Sequence, residues 1–187
     1  MYSRGVNKRH VFIDTQDYSV FLSLFKRYLS DAPVNDRYDR TYENLSDKVD
    51  LLAYCLMPNH FHLLVFQRDA SGMTALLQRV LTTYSMYFNK KYGRVGPLFQ
   101  DIYKASRISS DEYLLHISRY IHLNPNKWRT WDFSSLDYYT GGKQADWLNQ
   151  KTILELFRDK NEYIDFLSDY EGYKKSLENI KSELADR

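Results

Sequence analysis

His60-Phe61-His62 is the sharpest local feature of the chain. Side chains alternate along an extended strand, so the two imidazoles share one face, about 7 Å apart, while Phe61, Leu63 and Val65 face the other way into a core. Two such histidines can close on one divalent cation when a third ligand comes from elsewhere. The plain alternative is two histidines on a half-exposed strand. A second pair lies further on. Tyr120 and Asn124 stand four residues apart in an apolar-periodic stretch, hence on one helical face, with His116 one turn earlier. An amide oxygen suits a hard cation, and a phenol oxygen is a nucleophile once ionised. The plain alternative here is an amphipathic tyrosine, one of 17, and an asparagine closing a helix before Pro125.

The elements that must position these residues read as follows. Residues 10–13 form a short strand. Residues 14–29 form a helix, with Tyr18, Phe21, Leu22, Phe25, Tyr28 and Leu29 recurring at spacings of three and four. Residues 48–56 and 60–66 form a hairpin around Met57-Pro58-Asn59. Residues 71–92 form a second helix, stopped by Gly93. Residues 98–108 are extended. Ser109 and Glu112 have capping-box spacing and open a helix that runs to Asn124. Gly141-Gly142 breaks the chain, and residues 151–185 hold one or two further helices. This order predicts an α+β fold: a ferredoxin-like antiparallel sheet with helices on one side. Residues 1–140 form the domain, and residues 141–187 a C-terminal helical extension packed on it.

Composition excludes several classes. The 187 residues are 43% hydrophobic, too apolar for a disordered chain. A single cysteine, Cys55, in an apolar run excludes a disulfide scaffold and reads as a buried thiol. No run approaches the roughly 20 residues that cross a bilayer, and no signal-like segment opens the chain, so a cytoplasmic protein is expected. The net charge of +2 hides an uneven distribution. Residues 70–131 carry nine basic residues against three acidic, between acidic flanks, as suits a polyanion-facing surface. Arg4, Asn7, Lys8, Arg9, Lys90, Lys91, Arg94, Lys104, Arg107 and Arg119 are the candidates for phosphate contact. Tyr84, Tyr87, Tyr92 and Tyr103 are either stacking platforms for unpaired bases or core.

A family resemblance joins the two pairs. Leu56-Met57-Pro58-Asn59-His60-Phe61-His62-Leu63-Leu64-Val65 resembles the histidine-hydrophobic-histidine (HUH) strand of the single-tyrosine HUH transposases. Arg119-Tyr120-Ile121-His122-Leu123-Asn124-Pro125 resembles their catalytic-helix motif. Residues 3–9, 96–105 and 131–135 agree in order and spacing, and together resemble the REP-associated tyrosine transposase branch over about residues 3–140.

The resemblance implies that His60 and His62 hold Mg²⁺ or Mn²⁺, that Asn124 completes the ligand set, and that Tyr120 is the nucleophile. Tyr120 would form a 5′-phosphotyrosine and release a 3′-OH, with His116 or His122 relaying the proton. The implied partner is single-stranded DNA bearing a palindromic hairpin, which places the protein at the nucleoid. Two readings stand beside this one: a hairpin-binding protein without productive transposition, and a metal phosphoesterase that uses water. The tail is read as docking on the domain, closing over the tyrosine helix, or pairing two chains in a homodimer.

Overall fold

The computed structural model describes residues 1–100 and 103–169. Three antiparallel strands lie at its centre in the order β1-β3-β2: β1 (Tyr2–Arg4), β2 (Val49–Met57) and β3 (His60–Gln67). The segment carrying Leu98, Gln100 and Lys104 runs along the outer side of β1. Lys104 N donates to Tyr2 O (2.8 Å), Tyr2 N to Lys104 O (2.9 Å) and Gln100 N to Arg4 O (2.8 Å). Phe99 and Lys104 thus bridge to the outer side of β1, the edge where the ferredoxin-like order has its fourth strand. Residues 133–135 cover the other edge, where Leu56 N donates to Phe133 O and Ser135 N to Tyr54 O, both at 2.9 Å. Both edges are thus shielded from pairing with other chains.

Helix α1 (Thr15–Leu29) starts at a capping box between Asp14 and Asp17. It packs with α2 (Gly72–Lys91) on the face that carries Tyr54, Leu56, Phe61 and Leu63. These two crossover helices share one side, as expected. The opposite face is covered as well, by α3 (Asp111–His122), α4 (Leu136–Thr140), α5 (Lys151–Leu154) and α6 (Lys160–Ser168). The cause lies in β2, which is apolar on both faces. A bulge between Leu51 and Ala53 turns Leu52 and Ala53 together toward α3. Such a strand leaves water only if both faces are packed. Cys55 is a buried thiol, as expected.

Two local expectations change. Residues 10–13 do not form a strand. Val11 N and Phe12 N both donate to Pro58 O, at 2.8 and 3.0 Å, which docks the segment on the β2–β3 turn. The first strand is instead Tyr2–Arg4. The cap of α3 is Ser110, whose hydroxyl accepts from Tyr113 N, one residue later than the Ser109–Glu112 spacing implied. The helix expected beyond residue 169 lies outside the described residues, as do Asp101 and Ile102.

Candidate active site

The hairpin turn delivers His60 to the first position of β3 and His62 to the third, on the face toward α3. Their ring centroids are 5.1 Å apart with planes at 88°. Tyr120, 4% exposed on α3, stands over this pair, its ring centroid 5.1 Å from that of His62 at an interplanar angle of 85°. The Asn124 side chain reaches the His60 imidazole from just beyond the end of α3. The four residues singled out by spacing therefore meet in one place.

Tyr2 completes the pocket and was not legible from spacing. The register of β1 on β3 sets it opposite His62, and its ring lies 5.5 Å from His60 and 5.1 Å from His62. Arg4 lies opposite His60 in the same register, with its Nε donating to Gln100 Oε1 at 3.3 Å.

Both histidines are held neutral. Burial lowers the His60 imidazole to about 4, against the pull of Asn124 toward the charged form, and Arg4 lowers it further. Burial, then the charge of His60, lowers His62 well below its usual value. Neutral imidazole is the form that ligates metals. His60 Nδ1 lies 2.7 Å from Asn59 Oδ1, so its proton is assigned there and Nε2 keeps its lone pair. His62 Nδ1 is buried with no hydrogen-bond partner among the described residues. An orphaned buried nitrogen is costly, and a cation at the site would relieve that cost. Among the described residues no three His, Cys, Asp or Glu side chains gather, and the Asn124 amide is the polar group that the structure sets beside His60. The donor set fits a divalent cation.

The glycine-basic loop is tied to the same end of the sheet. Gly5 N donates to Asn59 O (2.9 Å), Asn59 Nδ2 to Lys8 O (3.2 Å) and Val6 N to Leu98 O (3.0 Å). A Cβ on Gly5 would strike the Arg9 carbonyl and lie 2.8 Å from Val11 Cγ1, so only glycine fits this approach. Asn7 and Lys8 both sit at left-handed φ (56° and 57°), a strained conformation held by these bonds. Asn7, Lys8 and Arg9 are exposed, as are Lys90 and Arg107, while Arg94 and Lys104 are half-buried.

Two of the expected phosphate contacts are turned to other work. Lys91 Nζ lies 2.7 Å from Asp14 and 2.8 Å from Asp17, clipping the end of α2 to the start of α1. Burial pushes the Asp17 carboxyl up, yet the bonds from Lys91, Ile13 N, Tyr92 and Tyr87 outweigh it and hold the group below its ordinary value. Arg119 is fully buried. Its guanidinium donates to Phe166 O (3.2 Å) and Asp169 O (3.3 Å), so it faces the extension and not solvent. The tyrosines considered as stacking platforms are also engaged. Tyr84 is core, Tyr87 and Tyr92 bond Asp17, and Tyr103 Oη meets Thr74.

The two candidate relay histidines bond groups other than the Tyr120 side chain in the contacts that define them. His122 is buried between Tyr163 Oη (2.6 Å) and Ser135 Oγ (2.7 Å), and burial lowers it to about 3. His116 Nδ1 lies 3.0 Å from Arg119 Nη2.

A family model described as "Transposase IS200 like" matches residues 15–124, more than half of the chain. The chain belongs to the IS200-like transposase family. The match begins at the first residue of α1 and ends on Asn124, so it spans His60, His62, Tyr120 and Asn124. The β1 loop and everything after Asn124 in this IS200-like transposase lie outside it. Comparison with curated proteins and with solved structures finds no match. No helix among the described residues is long and apolar enough to cross a membrane.

Proposed function

We propose that this IS200-like transposase is a metal-dependent single-stranded DNA nicking and joining enzyme that works through a 5′-phosphotyrosine on Tyr120. The observation that carries the reading is the Tyr120 ring standing 5.1 Å from His62, with His60 and Asn124 beside it. His60, His62 and Asn124 would hold Mg²⁺ or Mn²⁺. When bound, the cation neutralises non-bridging charge on the phosphate and stabilises the departing 3′-oxygen.

The chain's own residues do the rest. The sheet and α3 hold the Tyr120 oxygen for in-line attack on phosphorus. One Tyr120 O–P bond forms, one P–O3′ bond breaks, and the 3′-oxygen leaves as a hydroxyl. The phosphodiester energy stays in the protein–DNA bond, so the 3′-OH of another strand can reverse the reaction and join DNA. Tyr2 packs against both imidazoles and restricts their orientation. Arg4, Asn7, Lys8, Arg9, Lys90, Arg94, Lys104 and Arg107 supply cationic and polar contacts for the DNA backbone. The motif set in residues 3–9, 96–105 and 131–135 supports a palindromic hairpin of the REP-associated branch as substrate.

The test is incubation of the protein with end-labelled single-stranded hairpin DNA and Mn²⁺, read on a denaturing gel. The reading expects a covalent protein–DNA band and a free 3′-OH product. Cleavage without an adduct would move the protein to water-based hydrolysis. Binding without cleavage would make it a hairpin-recognition protein.

A further inference from the structure

The family match stops at Asn124, so what the extension contributes has to be read from this chain alone. Resting on Tyr120 as nucleophile, we infer that the extension is part of the catalytic scaffold. Arg119 and His122, on either side of Tyr120 in sequence, are positioning residues that lock α3 to α6 and set where Tyr120 stands over His62.

Helix α3 has two working faces. Ile117, Tyr120 and Ile121 are turned toward the sheet. Ser118, Arg119 and His122 project from the other side, and all three are fully buried. Arg119 caps the end of α6 through the Phe166 and Asp169 carbonyls and lies over the Phe166 ring at 4.3 Å. His122 bridges in two directions. One ring nitrogen meets Tyr163 Oη of α6, and the other meets Ser135 Oγ, which accepts from Tyr54 N of β2 at 2.9 Å. Tyr163 Oη in turn donates to Ser118 Oγ at 3.3 Å. A continuous buried chain thus runs α6–α3–β2.

Apolar packing alone would hold α3 against the sheet but leave its rotation loosely defined. Directional bonds on the face away from the site define that rotation. A rotation of about 10° moves a tyrosine hydroxyl by roughly 1 Å, since it lies well outside the helix backbone cylinder. A misplacement of about 1 Å can cost on the order of 100-fold in rate.

The test uses the full chain with Tyr163→Phe and Ser135→Ala, each of which removes a hydroxyl, beside Leu24→Val in the opposite core as a variant of comparable stability loss. Tm, the Kd for hairpin DNA, the rate of adduct formation and the Tyr120 ring resonance in tyrosine-labelled protein (assigned with Tyr120→Phe) are measured. The inference expects Tyr163→Phe and Ser135→Ala to leave Kd within about twofold, to slow adduct formation roughly 10- to 100-fold, and to move or broaden the Tyr120 resonance. Leu24→Val should change none of the three. An adduct rate and a Tyr120 resonance that match wild type in Tyr163→Phe would overturn it, leaving the network as fold support only. If wild type itself forms no adduct, the nucleophile assignment fails. The resonance then decides the positioning claim alone, for a shift upholds it and an unchanged line overturns it.

Discussion

The Tyr120 ring stands edge-on to the His62 imidazole, their centroids 5.1 Å apart and their planes at 85°. One residue comes from the helix after the second crossover and the other from the middle strand of the sheet, 58 positions earlier in the chain. A buried tyrosine has many apolar neighbours to choose from, yet this one packs over a strand with two neutral imidazoles on one face. Removing only its hydroxyl keeps the ring in place and should be decisive for the chemistry. Tyr120→Phe is expected to fold, to bind DNA as tightly, and to form no covalent adduct.

Metal affinity should track the imidazoles and their support. Calorimetric titration of Mn²⁺ into His60→Ala and His62→Ala should show binding weakened at least about tenfold. Asn59→Ala, which frees the His60 ring from its bond at Nδ1, should weaken it on the order of 10-fold without removing a ligand. Equal affinity in all three variants would place the cation elsewhere.

The basic residues separate into two groups that a salt titration distinguishes. Lys8 and Arg9 are exposed on the strained loop beside His60, so Lys8→Ala and Arg9→Ala should each reduce the slope of log Kd against log salt by about 1. Lys91→Ala should leave the slope unchanged. It should instead lower the midpoint of urea unfolding, because Asp17 is fully buried and loses its cation. A changed slope in Lys91→Ala with unchanged stability would reverse the assignment.

Acid should weaken the metal-free fold through its buried histidines. Burial holds His122 at about 3 in the folded chain, whereas it titrates near 6.5 when unfolded. Between those values the unfolded state binds the extra proton, so stability is flat above about pH 6.5 and falls below it, by about 1.4 kcal/mol per pH unit per histidine. Burial at His60, lowered to about 4, adds to the same window. Urea unfolding at pH 7.5, 6.0 and 5.0 should show the decline, and His122→Gln should flatten it by one histidine's share. Parallel curves for the two proteins would contradict the assignment.

Much of the site was legible because its two halves obey simple periods. His60 and His62 lie in the part of β3 that pairs without a bulge, so alternation places them correctly, and Tyr120 follows the helical repeat, whereas α3 stops at His122, two residues short of the expected end at Asn124. Tyr2 was illegible because its place depends on the register of β1 against β3, some 60 residues away. Lys91 reads as a surface charge until the packing of α1 on α2 supplies Asp14 and Asp17, which no local pattern encodes. Arg119 is the sharpest case. Arginine beside a nucleophile reads as a phosphate contact, and only the docking of α6 turns it inward. Coverage of the second sheet face was hidden by the β2 bulge, which breaks the alternation that would have marked an inward and an outward side.

The central claim is that Tyr120 carries the covalent bond to DNA. The direct measurement is peptide mapping of the protein after reaction with single-stranded hairpin DNA and Mn²⁺, followed by nuclease and trypsin digestion. Cleavage after Arg119 and Lys127 yields residues 120–127, whose only tyrosine is Tyr120. The account predicts a nucleotide phosphate on that peptide alone. A nucleotide on the peptide of residues 1–4, which holds Tyr2 of the same pocket, or no modified peptide from a reaction in which the DNA is cleaved, would contradict it.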